Sequence, residues 1–231
     1  MEFTFPPAVV ATVPVAGSDQ VFPVHRIYCV GRNYVEHAKE MGGTGREAPF
    51  FFMKPADAVL PLPAGVVGEM HYPSQTADLH HEIELVAAIG AAGRDIAVAD
   101  ALKHVWGYAV GIDMTRRDLQ AEAKKLSRPW CLSKGFDESA PIGPIHRITD
   151  AGVMDRARIH LDVNGVTRQD STVDKLIWSV AETISILSGY VELLPGDLIF
   201  SGTPAGVAAV GRGDLLEGGI DGLGTIALRL V

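Results

Sequence analysis

The sequence predicts an α+β fold in which a mixed or antiparallel sheet curls on itself. Its apolar runs are short, numerous and separated by Gly or Pro, which is typical of many short strands. Helical periodicity occurs in only a few places, so the regular strand–helix alternation of a parallel α/β fold is absent. Residues 1–25 are rich in proline and are predicted to form an extended arm, and residues 26–231 are predicted to form one domain.

The first half of the domain is predicted to contain strands, turns and one short helix. Apolar runs that end near Gly or Pro predict strands at residues 26–30, 50–53 and 82–89. Asn33 is expected to cap a helix that runs through Met41. Residues 55–78 are rich in Pro and Gly and are expected to form a loop or short irregular strands.

The second half contains the other helices and a hairpin. Helical signals occur at residues 97–104, 115–125 and 173–188. The second of these opens with Thr115-x-x-Asp118, a capping box with Asp in place of the usual Glu. Asn164-Gly165 is typical of a type I′ hairpin turn. Residues 126–150 are expected to be mostly loop, and further strands are predicted at residues 106–112, 159–163, 166–169, 198–201 and 225–230.

Composition and charge exclude several classes of protein. A hydrophobic content of 47 % is enough for a sizeable core and argues against disorder. The formal net charge is −8 and no basic run occurs, so nucleic-acid binding is not expected. With two cysteines, neither a disulfide framework nor a thiolate zinc site is expected. No signal-peptide pattern or membrane-length apolar run occurs, so we expect a cytoplasmic protein without a membrane partner.

Two carboxylates enter the predicted strand at residues 82–89. Glu82 and Glu84 are two apart, so their side chains should point to the same face. Like charges on a mostly apolar strand are costly unless a cation neutralises them. Asp113, at the end of another predicted strand, supplies a third oxygen ligand, and such a set favours Mg²⁺ or Mn²⁺, with Ca²⁺ a further option. The alternatives are an edge strand whose polar face meets water and, for Asp113, a helix cap.

Other candidate groups are scattered along the chain. His37 and Glu40 are three apart on the predicted helix, so Glu40 could orient the ring of His37 as a base, although this spacing is also common on exposed helices. Arg117 and Gln120 would share a helix face beside Asp113, whereas the adjacent His80 and His81 are expected behind the carboxylates or at the surface. The wider basic and amide set, in which each cation is more often a solvated surface group, consists of Arg32, Lys54, Arg117, Gln120 and Lys134.

A tight loop follows the strand at residues 198–201. Its sequence, Ser201-Gly202-Thr203-Pro204-Ala205-Gly206, is not a phosphate-binding loop, because no Gly-Lys-Ser/Thr follows. The chain also has no Gly-x-Ser-x-Gly elbow and no dinucleotide fingerprint after a first strand.

Taken together and in order, these segments resemble the fumarylacetoacetate hydrolase superfamily. The likeness covers about residues 26–231 and is closest to the acylpyruvase branch, most like bacterial fumarylpyruvate hydrolases. The matching segments are Cys29-Val30-Gly31-Arg32-Asn33-Tyr34, His37-x-x-Glu40, Phe52-Met53-Lys54-Pro55, His81-Glu82-Ile83-Glu84, Gly111-Ile112-Asp113-Met114-Thr115, Arg117-Asp118-Leu119-Gln120, Lys134-Gly135-Phe136-Asp137 and Gly202-Thr203-Pro204-Ala205-Gly206-Val207.

The resemblance implies a mixed β-roll, usually a homodimer, with one Mg²⁺ or Mn²⁺ per chain. The implied activity is hydrolysis of the C3–C4 bond of a 2,4-dioxo acid, in particular of 3-fumarylpyruvate to fumarate and pyruvate in gentisate-type aromatic catabolism. By motif position, Glu82, Glu84 and Asp113 would be the metal ligands, and His37 with Glu40 would activate water. Lys134 or Gln120 would stabilise the oxyanion, and the substrate pocket would be lined by Arg32, Lys54, Arg117, Gln120, Lys134 and Thr203.

Two other functions remain open at this stage. The same site could decarboxylate oxaloacetate, or isomerise a related 2-oxo acid, without an attacking water. A non-catalytic metal-binding scaffold on this fold is the more remote alternative, because it would require a broken ligand set or dyad, and both are intact.

Overall fold

The computed structural model describes residues 2–36 and 46–231, and within them short strands dominate. The strands are β1 Thr12–Pro14, β2 Val21–Pro23, β3 Ile27–Gly31, β4 Phe50–Lys54, β5 Val59–Pro61, β6 Val67–Met70, β7 Leu79–His80, β8 Ile83–Ile89, β9 Val105–Ile112, β10 Thr115–Arg116, β11 Ala140–Ile142, β12 His146–Arg147, β13 Arg158–Val163, β14 Val166–Thr172, β15 Leu198–Phe200, β16 Ala209–Val210, β17 Leu215–Ile220 and β18 Gly224–Leu230. The helices whose bounds lie within the described ranges are α1 Arg117–Lys125, α2 Cys131–Lys134, α3 Ile148–Ala151 and α4 Val180–Tyr190, with 3₁₀ turns at Ala56–Ala58, Val98–His104 and Val173–Lys175. Val35 and Glu36 are also helical, and the rest of the helix predicted to run through Met41 lies outside the described residues.

Two large sheets carry the fold. The first has eight strands in the order β4-β3-β15-β8-β9-β11-β5, with β12 also paired to β9. The second has five strands in the order β14-β13-β17-β18-β6. Both sheets are mixed, because β15–β3, β11–β5 and β18–β6 are parallel pairs. The prediction of a mixed, curled sheet with few helices is confirmed.

Strand β8 is buried on both faces, which explains its nearly continuous apolar sequence. Leu85 and Ala87 belong to the large core that includes side chains of the five-stranded sheet. Val86 and Ala88 belong to a second core, together with Phe200 and residues 13–24. Since side chains alternate along a strand, Glu82 and Glu84 share the face of Val86 and Ala88.

The N-terminal residues contribute to that second core. β1 and β2 form an antiparallel pair, and Val13 and Phe22 from these strands are buried against the eight-stranded sheet. Residues 2–10 are exposed. The hairpin of β1 and β2 therefore covers the sheet face opposite the large core.

The hairpin predicted at Asn164-Gly165 is confirmed. The backbone φ angles are 52° at Asn164 and 74° at Gly165, as the type I′ turn requires. β13 and β14 pair antiparallel on either side of this turn. Their register shifts between Leu161 and Asp162, which brings Gln169 opposite Leu161.

Two capping predictions are wrong. Asn33 is fully buried, and its amide binds Trp178 and Ser201 rather than a helix end: Nδ2 donates to the carbonyls of both residues, and Oδ1 accepts from the Trp178 amide. Helix α1 begins at Arg117 without a side-chain cap. Thr115 forms part of β10, and the Asp118 carboxylate accepts hydrogen bonds from Thr76 and Ala77 instead.

The helix predicted over residues 173–188 is shorter and begins later. α4 starts at Val180, because Ser179 and Glu182 form a reciprocal capping box there. Leu176, which fits the apolar spacing, instead pairs with Tyr34 in an isolated bridge. The stretch predicted as mostly loop, 126–150, contains α2, β11, β12 and most of α3.

None of the helices in the described ranges is long and apolar enough to cross a bilayer.

Candidate metal centre and active site

Three carboxylates meet at the end of the β8–β9 pair. Glu84 lies in β8, Glu82 directly precedes it, and Asp113 directly follows β9. The Asp113 amide donates to the Glu82 carbonyl over 2.8 Å, so the antiparallel ladder places these two residues opposite each other. One oxygen from each carboxylate lies within 4.8 Å of the others, and all three residues are buried. Strand periodicity thus brings together the three predicted ligands.

Two buried lysines and a partly buried arginine surround two of these carboxylates. Lys134 Nζ lies 2.7 Å from Glu82 Oε2 and 2.6 Å from Asp113 Oδ2. Lys54 Nζ lies 2.8 Å from the other Asp113 oxygen, and Arg117 Nη2 pairs with Glu82 Oε1. Burial alone would lower the pKa of Lys134, but the charges of Asp113 and Glu82 raise it, so this ammonium stays protonated.

Glu84 is the carboxylate of the cluster without a cationic partner among the described side chains. Its hydrogen bond comes from the Gly202 amide, 2.7 Å from Oε2. Burial, followed by the charges of Asp113 and Glu82, raises the pKa of Glu84 well above its ordinary value. The protein alone therefore does not stabilise Glu84 as an anion. Hard oxygen donors with one uncompensated member fit a divalent cation such as Mg²⁺ or Mn²⁺.

The loop after β15 closes over Glu84. Gly202 has a φ of 102°, and a Cβ there would lie 2.6 Å from the Cβ of Asn33, so this position requires glycine. Thr203 Oγ1 donates to the Ile83 carbonyl over 2.8 Å. The loop is thereby fixed to the strand that carries the carboxylates.

Gln169, which the sequence did not reveal, connects this loop to the carboxylate strand. It is fully buried, and its Oε1 accepts from His81 Nδ1 at 2.9 Å and from the Ile83 amide at 3.1 Å. Its Nε2 donates to Thr203 Oγ1 and to the Pro204 carbonyl, both at 2.8 Å. The sequence places Gln169 only in the predicted strand at residues 166–169. Because the register shifts within the hairpin, the sequence does not indicate that Gln169 lies opposite Leu161.

The two histidines beside Glu82 are not placed as ligands. His81 is buried against Gln169, and burial lowers its pKa to about 4, so the ring is neutral. His80 Nε2 lies 2.8 Å from the Asp78 carboxylate, and burial lowers its pKa too. Both rings therefore support neighbouring residues, and neither belongs to the carboxylate cluster.

A cavity opens beside the carboxylates. Among its predicted lining residues are Arg32, Arg117, Gln120, Lys134 and Thr203. Lys54 lies behind them and is fully buried. Arg117 Nη1 donates to Gln120 Oε1 over 2.7 Å, which leaves the Gln120 amide nitrogen as a donor for a ligand.

The cavity also has lining residues that sequence reasoning missed. These are chiefly Phe52, Trp130 and Lys124. His37 and Glu40, the predicted water-activating pair, lie outside the described residues.

Comparisons with known proteins agree with this geometry. The family model described as fumarylacetoacetate (FAA) hydrolase C-terminal matches residues 26–231. A crystal structure of fumarylpyruvate hydrolase from Pseudomonas aeruginosa, in complex with Mn²⁺ and pyruvate, superposes with a TM-score of 0.98 at 56 % identity and covers 100 % of this chain and 99 % of that chain.

Two curated relatives extend the comparison. Fumarylpyruvate hydrolase of a Ralstonia species is 43 % identical over 184 residues, covering 80 % of this chain and 93 % of its own length. The mitochondrial oxaloacetate tautomerase of Rattus norvegicus is 40 % identical over 207 residues, with 88 % and 90 % covered. The match over residues 26–231 and these identities show that the chain belongs to the fumarylacetoacetate hydrolase C-terminal family.

Proposed function

We propose that this chain is a metal-dependent hydrolase that cleaves the C3–C4 bond of a 2,4-dioxo acid, with 3-fumarylpyruvate as the first candidate and fumarate and pyruvate as products. The observation that carries the proposal is the buried triad Glu82, Glu84 and Asp113 beside a cavity lined by cations. Relatives named fumarylpyruvate hydrolase, one of them bound to Mn²⁺ and pyruvate, support the same substrate class.

Glu82, Glu84 and Asp113 would hold one Mn²⁺ or Mg²⁺. When bound, such an ion supplies Lewis-acid stabilisation for the negative charge that develops on the departing pyruvyl group. The charges of the surrounding residues favour an anionic substrate. Three carboxylates face three cations, Lys54, Lys134 and Arg117, so a divalent ion leaves the site with a net positive charge.

Side chains of the site would activate water, stabilise the developing oxyanion and return a proton to the product. His37, oriented by Glu40, would take a proton from water while the water oxygen forms a bond to C4. The amide nitrogen of Gln120 would donate to the oxygen on C4 as it becomes negative. Lys134, the other candidate for this role, already donates its three N–H groups to Glu82, Asp113 and Thr115, so it would first have to release one of them. The C3–C4 bond then breaks with its electron pair on C3, and the proton held by His37 passes to C3 to give pyruvate.

The test of this function is a spectrophotometric screen of fumarylpyruvate, maleylpyruvate, acetylpyruvate and oxaloacetate, with and without Mn²⁺ or Mg²⁺. We expect metal-dependent loss of the acylpyruvates. His37→Ala should lower the rate about 10²–10⁴-fold, the usual effect of losing a general base. His71→Ala is the matched control, because His71 is exposed and far in sequence from the dyad. No turnover of any of the four compounds with metal present would refute the enzymatic function.

A second candidate is chemistry on oxaloacetate. The rat relative named oxaloacetate tautomerase supports it, and the same cation-lined site suits a 2-oxo dicarboxylate. Decarboxylation needs no attacking water and should tolerate the loss of His37 better than hydrolysis. Oxaloacetate turnover that exceeds acylpyruvate turnover and survives His37→Ala would favour this candidate. Mn²⁺ binding without turnover of any compound would instead favour a non-catalytic metal-binding scaffold.

We also propose that the protein is a cytoplasmic homodimer that acts in aromatic catabolism, with residues 26–231 as the catalytic domain. Light scattering of the purified chain tests the dimer, and a single mass equal to one chain would exclude it.

A further inference from the structure

Arg32 is a cation of the cavity that forms no ion pair with any carboxylate among the described residues. It follows β3 with a φ of 57°, a conformation that is uncommon for residues other than glycine. The neighbouring Asn33 is held by its hydrogen bonds to Trp178 and Ser201, which fixes this turn of the backbone. Arg32 Nε is buried and makes no hydrogen bond to the described residues. Strain at a rigidly held cation is typical of a functional position.

Lys124 is a second such cation in the same cavity. It lies seven residues after Arg117, two turns along α1, and so on the same helix face. Its side chain shows no ion pair with any residue in 2–36 or 46–231. Burial, followed by the charges of Arg117 and Arg32, lowers the pKa of Lys124 to about 8. These like charges around one cavity favour a bound anion, because no carboxylate among the described residues forms an ion pair with Lys124 or Arg32.

Two aromatic rings connect Lys124 with the metal end of the cavity. Lys134 Nζ lies 5.1 Å from the centroid of the Phe52 ring, and Lys124 Nζ lies 5.1 Å from that of Trp130. The two rings are in contact, with centroids 5.6 Å apart. The cavity thus has a cationic end beside the carboxylates, an apolar aromatic wall, and a second cationic end.

We infer that Lys124, together with Arg32, forms a carboxylate subsite that binds the far acid group of the substrate and selects dicarboxylate acylpyruvates over monocarboxylate ones. This inference rests on the proposed function. The aromatic wall suits a planar unsaturated linker between the two acid groups, because flat apolar groups pack well on aromatic faces.

The test compares the hydrolysis of fumarylpyruvate, which carries the far carboxylate, with that of acetylpyruvate, which ends in a methyl group. Lys124→Met removes the charge and keeps the length of the side chain. We expect it to lower the ratio of the two kcat/KM values, fumarylpyruvate over acetylpyruvate, by about 10–100-fold, the effect of losing a charged hydrogen bond. Lys124→Arg should retain most of this preference. Lys125→Met is the matched control, because Lys125 is the exposed next residue on the same helix.

An unchanged ratio in Lys124→Met, or an equal loss for both substrates, would overturn the subsite. If the wild type hydrolyses neither compound, the proposed function fails. The subsite is then tested on its own by calorimetric titration of the Mn²⁺-loaded protein with fumarate. Fumarate binding that weakens about 10-fold in Lys124→Met, but not in Lys125→Met, supports it. Equal binding to the wild type and Lys124→Met, or none to the wild type, overturns it.

Discussion

At the scale of single residues, Gln169 is a buried amide that accepts two hydrogen bonds and donates two. Both ends of its buried amide are fully used, and its partners belong to the carboxylate strand and to the loop after β15. Gln169→Leu would leave the Ile83 amide and the Pro204 carbonyl buried without their partner. We expect a loss of about 2–4 kcal/mol in the free energy of unfolding, measured with urea.

The control for this loss is Gln20→Leu, since Gln20 is exposed and accepts one surface hydrogen bond from Arg147. Surface substitutions usually change stability by less than about 0.5 kcal/mol. Equal effects of the two substitutions would show that the Gln169 network does not hold the loop to the strand.

The pKa of Lys124 predicts how substrate preference changes with pH. The group is charged below about 8 and neutral above it, so the preference for a dicarboxylate should fall as pH rises from 7 to 9.5. Burial and then the charges of Arg117, Arg32 and Lys134 favour the neutral form of Lys124, whereas the charge of Glu82 opposes it. In Lys124→Arg, whose side chain stays charged, the ratio of the two kcat/KM values should vary less over this range. Parallel profiles of wild type and variant would contradict the prediction.

Sequence reasoning found the residues whose spacing is itself the signal. Glu82 and Glu84 share a face because a strand has a period of two, and Asp113 ends the neighbouring strand. Gln169 was missed because of the register shift. If the pairing continued regularly from the Asn164-Gly165 turn, Leu161 would lie opposite Arg168, but in the structure Leu161 lies opposite Gln169. Lys124 was missed because a lysine on an amphipathic helix is usually a surface residue, and the sequence does not show that it lines the cavity.

At the scale of elements, the start of α4 depends on one serine. Ser179 accepts a hydrogen bond from the Glu182 amide, and the Glu182 carboxylate accepts one from the Ser179 amide. Ser179→Ala should lower the free energy of unfolding by about 1 kcal/mol, the typical contribution of such a cap. Urea denaturation measures the loss, and Ser74→Ala, at an exposed loop position, is the control. A loss no larger than that of the control would contradict this role.

The same helix shows why element boundaries were the weakest prediction. Apolar spacing runs continuously from Leu176 to Leu187, so periodicity alone gave one long helix. The contact of Leu176 with Tyr34 is a tertiary interaction, and it draws the residue into an isolated bridge. Asn33 was read as a cap for a related reason, since its partners lie far along the chain.

At the scale of the whole molecule, metal binding should stabilise the fold. A ligand that binds only the native state, present at 100 times its Kd, adds about 2.7 kcal/mol, which raises Tm by about 5–10 °C in a chain of this size. We expect this shift with Mn²⁺ in the wild type and its loss in Glu84→Gln. Glu69→Gln, an exposed position on β6, should keep the shift. A full Mn²⁺ shift in Glu84→Gln, measured by scanning calorimetry, would remove Glu84 from the ligand set.

The fold class was predictable from the sequence, but the strand order was not. Short strands and scarce helices indicate a curled mixed sheet, whereas the pairing of β3 with β15 joins segments some 170 residues apart, from Ile27 to Leu198. No local pattern encodes such a pair, because both strands are simply short and apolar.

That pairing has a consequence for how the protein is made. β15 lies between β3 and β8 in the middle of the eight-stranded sheet, and the loop that covers Glu84 follows it directly. At about 5–20 residues per second, a ribosome that has already synthesised Asp113 needs several more seconds to reach Thr203. During that time the nascent chain carries all three carboxylates of the cluster but neither β15 nor the loop that covers Glu84. The carboxylate cluster therefore cannot reach its folded geometry until translation of the chain is nearly finished.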